Sequence, residues 1–305
     1  MPSSTKQQGR PLTHAKMAQP FVHAPLFRSF ERGQQKKLKL DITYTVNSKD
    51  TGTTTFRFWG PEPLGATDLR VLQGLVAVAT RQLLADGDAP GLLSDGLSQR
   101  SNLKIEGDAL EHQVIAARFK LTTFARMLGY KQPGQATLTQ LRNSIERLAA
   151  VTVIVEKPRF HASYHILSGF ERDTVNDEVV VGLNPALTAA VLGQNEFLRV
   201  DFEEVRKLKS DAARLIHSRL HWINQGDSRP VAMETLCGYV YSDATKATVA
   251  SVRQRHRTVR TALKELSALG WSVEQQPALG SLRIRRPVGK REQSAWRKST
   301  VERSH

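Results

Sequence analysis

The chain has 305 residues, which is enough for two domains of ordinary size. Its 44 Lys and Arg outnumber 29 Asp and Glu, and the net charge of +15 favours polyanions, nucleic acid ahead of an anionic membrane surface. A single cysteine excludes an internal disulfide framework and any multi-cysteine metal site, and no run of about 18 apolar residues predicts a membrane span. We therefore expect a cytoplasmic protein with no membrane partner.

The positive charge is concentrated at the two ends of the chain. Residues 1–40 carry a net charge of +7 and residues 241–305 carry +9, whereas 41–240 are nearly neutral at −1. Residues 1–37 predict a basic, disordered arm, and residues 289–305 predict a basic tail of the same kind. The charge within 241–288 lies in a periodic segment, so we expect folded structure to display it.

The first predicted domain covers residues 38–183. A strand over 40–46 and a strand over 53–59 form a predicted hairpin, because a turn-forming Ser-Lys-Asp-Thr-Gly segment separates them. A helix follows with Thr67 as its N-cap. Residues 86–112 are rich in Gly and Asp and predict a loop or insertion.

The same order of elements then occurs twice, a short helix and a long helix followed by two strands. The first copy comprises 123–129, 137–148, 151–155 and 164–167; the second comprises 233–240, 248–269, 271–274 and 282–285. Two helices followed by a β-hairpin is the winged-helix order, and two copies about 110 residues apart strengthen the interpretation. The predicted fold class is α+β, with two tandem winged-helix domains, 38–183 and 184–288, between basic flexible termini.

The long helix of the second domain carries the strongest functional pattern. Four basic residues fall within about 60° on one side of it, while an apolar stripe lies on another side: Arg253, Arg257, Arg260 and Lys264, against Val252, Val259, Leu263 and Leu266. Glu265 is the only acid in this helix, so the like charges are not relieved internally. A solvent-exposed basic face is the simple alternative; a recognition helix in a DNA major groove is the functional interpretation.

The second domain is therefore the predicted principal DNA reader. Its candidate DNA-binding residues are Thr248, Arg253, Arg255, Arg257, Arg260 and Lys264 on the helix, with Arg283, Arg285 and Arg286 on the wing beside phosphates. In the first domain the candidate is Arg142, with Glu146 beside it. That domain either binds DNA more weakly or serves mainly for protein contacts.

No pattern in the chain predicts catalysis, a metal or a cofactor. A P-loop motif does not occur, and the histidine pairs 161/165 and 217/221 lack the glutamate that a zincin would place after the first histidine. The chain also lacks the His-apolar-His pair that is seen in rolling-circle nickases. Tyr239 and Tyr241 are therefore expected to pack or stack rather than attack DNA. Cys237 and His256 are expected to be core residues. We expect no enzyme activity.

Several segments resemble the RepC-type replication initiators of IncQ-like plasmids. They include the run from Gly60-Pro61-Glu62-Pro63 to residue 77, and the runs 24–28, 183–187, 235–240 and 253–271. The resemblance spans about residues 23–287. It implies a tandem winged-helix initiator that binds directly repeated iterons at a plasmid origin and helps open an adjacent A+T-rich segment. It further implies a role in plasmid copy control and a plasmid-encoded helicase and primase as partners.

Three other interpretations compete with the initiator. A transcriptional repressor with tandem winged helices would look similar in sequence, but would protect a promoter palindrome rather than direct repeats. An origin-nicking enzyme would leave a covalent tyrosyl adduct on labelled DNA. An assembly protein would use its first domain mainly to bind the helicase. The balance between monomer and homodimer is left open.

Overall fold

The computed structural model describes residues 13–30, 33–48, 52–85, 114–173, 175–241, 248–276 and 281–288. The chain has a mixed α+β fold and divides into two compact units, unit 1 over residues 1–207 and unit 2 over residues 208–305. The sequence predicts a division after residue 183, whereas the second unit begins at residue 208. The later boundary follows from β-pairing, because Phe197–Asp201 forms an antiparallel pair with His14–Ala18 near the start of unit 1.

Unit 1 is built around one long helix that is buried on nearly every side. Its elements are β1 (His14–Ala18), α1 (Gln19–His23), β2 (Phe27–Arg28), β3 (Leu40–Ser48), β4 (Gly52–Gly60), β5 (Leu64–Gly65), α2 (Ala66–Ala85), β6 (Ala116–Lys120), α3 (Leu121–Met127), α4 (Gln135–Ala149), β7 (Thr152–Lys157), β8 (Phe160–His165), β9 (Leu167–Asp173), β10 (Glu178–Leu183), α5 (Pro185–Leu192), β11 (Phe197–Asp201) and α6 (Phe202–Lys207). Helix α2 buries Leu72, Leu75 and Val78 completely, and it packs against β1, β6, α4 and α5. Its polar residues Asp68, Arg70 and Gln73 are buried as well, so α2 is a core helix.

The predicted disordered arm is folded over residues 13–30. Strand β1 buries Ala15 and Met17 completely, and α1 leaves only 1% of Phe21 and of Val22 exposed. The prediction missed this strand because its alternation, from His14 to Met17, is only four residues long, and its partner β11 lies about 180 residues later. Residues 1–12 of the predicted arm, the loop or insertion at 86–112 and the tail at 289–305 lie outside the described residues.

The sheets of unit 1 correct the predicted position of its hairpin wing. Strands β7 and β8, predicted as the wing, extend the β3–β4 hairpin into a four-stranded antiparallel sheet in the order β3-β4-β7-β8. Val153 pairs with Phe58, and both side chains are fully buried, so this hairpin completes an existing apolar face. A separate antiparallel sheet has the order β6-β10-β9, and its β9–β10 hairpin follows later in the chain.

Unit 2 repeats part of this arrangement. Its elements are α7 (Asp211–Arg219), a 3-10 turn (Leu220–Trp222), β12 (Ser228–Ala232), α8 (Met233–Val240), α9 (Val249–Ser267), β13 (Ser272–Gln276) and β14 (Ser281–Arg285). The sheet order is β12-β14-β13. Each unit contains, in chain order, a helix, a strand, two helices and a hairpin whose second strand lies in the middle of a three-stranded sheet. In unit 1 this hairpin is β9–β10, and β7 and β8 come before it. None of the helices within the described ranges has the length and apolarity needed to cross a membrane.

Candidate nucleic-acid interface

Helix α9 is fixed in unit 2 by its ends and by one apolar face. The Thr248 hydroxyl accepts a hydrogen bond from the Ser251 amide (3.3 Å) and caps the first turn. Val259, Ala262, Leu263 and Leu266 are buried, and α9 packs against α7 and α8. The helix ends at Ser267, and the chain then turns through Gly270, whose φ of 96° favours glycine.

The opposite side of α9 carries the predicted basic residues. We use the term basic stripe for Arg253, Arg257, Arg260 and Lys264, which are all exposed. Within the described part of the chain, none of these four side chains forms an ion pair. Among the described residues the stripe therefore presents four positive charges without an acidic partner, on a helix whose other side packs against α7 and α8.

Glu265 does not relieve this charge, because it serves another element. Its carboxylate accepts hydrogen bonds from the backbone amides of Lys209 (2.7 Å) and Ser210 (3.3 Å), immediately before α7. Burial alone would raise the pKa of Glu265, but these hydrogen bonds and the nearby Arg214 outweigh it and lower the pKa. Glu265, the only acidic residue of α9, is thus ionised and hydrogen-bonded to the backbone just before α7.

Two further predicted contacts on α9 differ from the basic stripe. Thr248 is exposed, but its hydroxyl is used as the N-cap of the helix. Arg255 is half-buried, and its guanidinium lies 5.0 Å from the centre of the Tyr241 ring. This contact links α9 to the end of α8. His256, predicted to lie in the core, is half-buried, and Val252, predicted in the apolar stripe, is 38% exposed.

Strand β14 separates the three predicted wing arginines. Arg283 and Arg285 are exposed, while the intervening Ile284 is fully buried. Arg283 donates to the Ser228 hydroxyl (3.3 Å), and Arg285 donates to the Gly226 carbonyl oxygen (2.9 Å), so both are held along the sheet surface.

Arg286 is not available to DNA, which corrects its inclusion among the candidates. Only 8% of the residue is exposed, and its Nη1 donates to the carbonyl oxygens of His221 (3.2 Å) and Ile223 (3.1 Å). The guanidinium lies 6.0 Å from the Trp271 ring centre. Because its charge is directed inward to backbone acceptors, Arg286 joins the end of the sheet to the 3-10 turn.

The histidine pair of unit 2 belongs to the same internal cluster. His217 and His221 are buried with their rings 4.5 Å apart, and the His221 Nδ1 donates to the His217 carbonyl oxygen (2.7 Å). Burial holds the pKa of His221 well below its ordinary value of 6.5, and His217 and Arg286 lower it further. No group of three or more potential metal ligands occurs among the described residues.

The corresponding helix of unit 1, α4, presents a different surface. Its exposed face carries Thr139, Gln140, Asn143 and Glu146. Arg147, which is half-buried, forms an ion pair with the buried Asp68 (2.8 Å). The predicted contact Arg142 is half-buried in a cleft that is also lined by Ile145 and Phe170. Helix α4 therefore has no counterpart of the basic stripe among its described residues.

Three residues weighed for chemistry have other surroundings. Arg219 lies 4.8 Å from the centre of the Tyr239 ring, and Arg255 covers Tyr241, so both rings stack against cations. Cys237 is half-buried rather than in the core, and burial raises the pKa of its thiol.

Fold and surface together define a two-unit α+β protein in which one helix exposes a row of cations. A family model of replication protein C (RepC) matches residues 9–288, and the chain belongs to this family of DNA replication proteins. A crystal structure of domains 2 and 3 of RctB is similar in fold, with a TM-score of 0.51 and 9% sequence identity. That similarity covers 88% of this chain and 97% of the RctB chain. A second RctB structure of domains 2–3 has a TM-score of 0.47, 10% identity, and coverage of 81% and 91%. Comparison with curated protein sequences gives no match.

Proposed function

We propose that this protein is a plasmid replication initiator that binds directly repeated iterons in the origin. Units 1 and 2 act as tandem winged helices, with α9 of unit 2 as the principal recognition helix. Binding promotes opening of the adjacent A+T-rich DNA for helicase loading. The protein has no enzyme activity of its own, so a plasmid-encoded helicase and primase supply the catalysis.

The observation that carries this proposal is the basic stripe. From Arg253 to Lys264 the helix rises by about 16 Å, which exceeds the width of a major groove, about 12 Å. A helix lying in the groove would therefore place some stripe residues at base edges and others near the flanking phosphates. Arg283 and Arg285, held on the sheet by hydrogen bonds to Ser228 and Gly226, suit phosphate contacts beside the groove.

Membership of the RepC family supports the replication role, and the repeated order of elements supports two winged helices. Tyr239 and Tyr241 each pack against an arginine guanidinium, which fits the packing role expected of them in a DNA-binding protein. The monomer–dimer balance is a separate property, which sedimentation with and without origin DNA measures.

The test replaces Arg257 and Arg260 singly by alanine. Both side chains are exposed, so the melting temperature should stay within about 2 °C of wild type, since surface substitutions change stability little. Each variant should lose about 1–3 kcal/mol of affinity for the origin repeat if its arginine pairs with a guanine. A phosphate contact should instead weaken binding to all sequences and reduce the salt slope by about one.

Two variants provide matched controls. Arg229→Ala removes the same charge from an exposed position on β12, outside the basic stripe, and should change affinity less than twofold. Arg142→Ala in unit 1 should be milder than either stripe variant, because the side chain is half-buried. The wild-type slope of log affinity against log salt should be about −5 to −9 for about six to ten phosphate contacts. A slope shallower than about −2, or stripe variants that bind like Arg229→Ala, would refute the proposal.

A further inference from the structure

The first turn of α9 exposes two apolar side chains. Val249 is 70% exposed and Val252 is 38% exposed. The buried residues of the helix begin only at Val259, so the first turn projects beyond the apolar contact that fixes α9 in unit 2. Single exposed apolar residues are common, and exposure alone carries no functional meaning.

The position of Val249 distinguishes it from a random exposed valine. It precedes Arg253 by four residues and Arg260 by eleven, and both spacings place it on the side of the helix that bears the basic stripe. Val252 precedes Val259 by seven residues and is in line with the buried side, but it lies on the first turn, before the first buried residue, and is 38% exposed there. Valine is a poorer helix former than alanine, lysine or glutamate, so helix formation does not account for two valines in an exposed first turn.

We infer that Val249 and Val252 form a contact for thymine methyl groups in the major groove. This inference rests on the proposed function, in which α9 is the recognition helix. The N-terminal residues of such a helix contact the base edges, and the C5-methyl of thymine is the apolar feature that those edges present in the major groove. The valines then select a thymine beside the guanines or phosphates that the stripe arginines contact, which adds an apolar component to a recognition surface otherwise made of cations.

The experiment compares thymine with uracil in the bound DNA. The probe is a duplex that the full chain selects from a random-sequence pool, and each thymine in it is replaced singly by deoxyuridine. Uracil keeps every hydrogen-bonding group of thymine and lacks only the methyl. Wild type should lose about fourfold in affinity at one or two positions, the factor expected from one buried methyl group.

Val249→Ala and Val252→Ala identify the partner side chains. At the sensitive position each variant should bind thymine about fourfold more weakly than wild type does. It should also bind the thymine and uracil duplexes with affinities within twofold of each other. The control Val175→Ala makes the same change at a 90% exposed valine in the β9–β10 turn of unit 1 and should keep the full preference for thymine. Melting curves should be unchanged for all three variants.

The outcomes separate this inference from the proposed function. If the pool yields a specific duplex but no uracil substitution weakens wild-type binding, the valine contact is wrong while the initiator proposal stands. The same holds if the valine variants retain the wild-type preference for thymine. If the full chain selects no sequence from the pool, sequence-specific DNA binding fails, and both proposals fall together.

Discussion

Replacing Arg286 by alanine should destabilise unit 2 without removing a DNA contact. The guanidinium is buried, and one of its nitrogens donates to two backbone carbonyl oxygens, of His221 and Ile223. A hydrogen bond to a charged group contributes about 1.5–3 kcal/mol, and truncation would leave both carbonyls without this donor. Because the two bonds share one nitrogen, we expect a combined loss of about 2–4 kcal/mol in the free energy of unfolding.

Calorimetry of the full chain measures this loss, with Arg285→Ala as the matched control. In a unit of this size, about 2–4 kcal/mol corresponds to a fall of roughly 10 °C or more in the melting temperature. Below that temperature, Arg286→Ala should bind origin DNA within about twofold of wild type with an unchanged salt slope. Arg285→Ala should do the reverse: its melting temperature should hold, and its salt slope should drop by about one.

A specific result would refute this reasoning. If Arg286→Ala melted like wild type and lowered the salt slope by about one, its guanidinium would be a phosphate contact. Its assignment as an internal anchor between the sheet and the 3-10 turn would then be wrong.

Two further predictions concern each unit in turn. Gly74→Ala should destabilise unit 1 by about 1–3 kcal/mol in urea unfolding, because the added Cβ would lie 2.5 Å from a terminal methyl of the buried Leu128 and 3.1 Å from the Phe124 ring, so both side chains would have to shift. Unchanged stability would contradict this packing. The melting temperature of unit 2 should fall as the pH is lowered from about 7 to 5. In the unfolded chain His221 binds a proton below its ordinary pKa of 6.5, whereas in the folded unit its lowered pKa keeps it neutral. Lowering the pH therefore favours the unfolded state. His221→Gln should flatten this dependence, and an equally steep fall in that variant would assign it to another group.

Local patterns predicted the elements whose partners are close in sequence. The β3–β4 hairpin, the helix pair of each unit and the final β13–β14 hairpin all appear where periodicity and turn residues placed them. The elements that were missed depend on distant partners. Strand β1 pairs with β11 across most of unit 1, and β7, predicted in a hairpin with β8, also pairs with β4. Pairings over such separations depend on the whole core and leave no signature in a local window.

The candidate site was predictable where a single helix determines it. The 19 residues of α9 hold their apolar and basic positions in fixed angular relation, so the basic stripe could be identified from spacing alone. Arg286 shows how the prediction could have been sharper. Because side chains alternate across a strand, placing Arg283 and Arg285 on one face of β14 already directs the next residue to the other face. The burial of Arg147 beside Asp68 had no such signal, since the two lie 79 residues apart.

The long helices α4 of unit 1 and α9 of unit 2 differ in what they can contribute to DNA binding. On α9 the acid is committed to the start of α7, so its four stripe cations remain available to phosphates and to guanines. On α4, Arg147 is neutralised by its ion pair with Asp68. The exposed face of α4 carries the side-chain amides of Gln140 and Asn143, and such amides can pair with adenine. Under the proposed function, unit 2 therefore supplies nearly all of the salt-dependent affinity. Any contribution from α4 would act through base choice, and would add almost nothing to the salt slope.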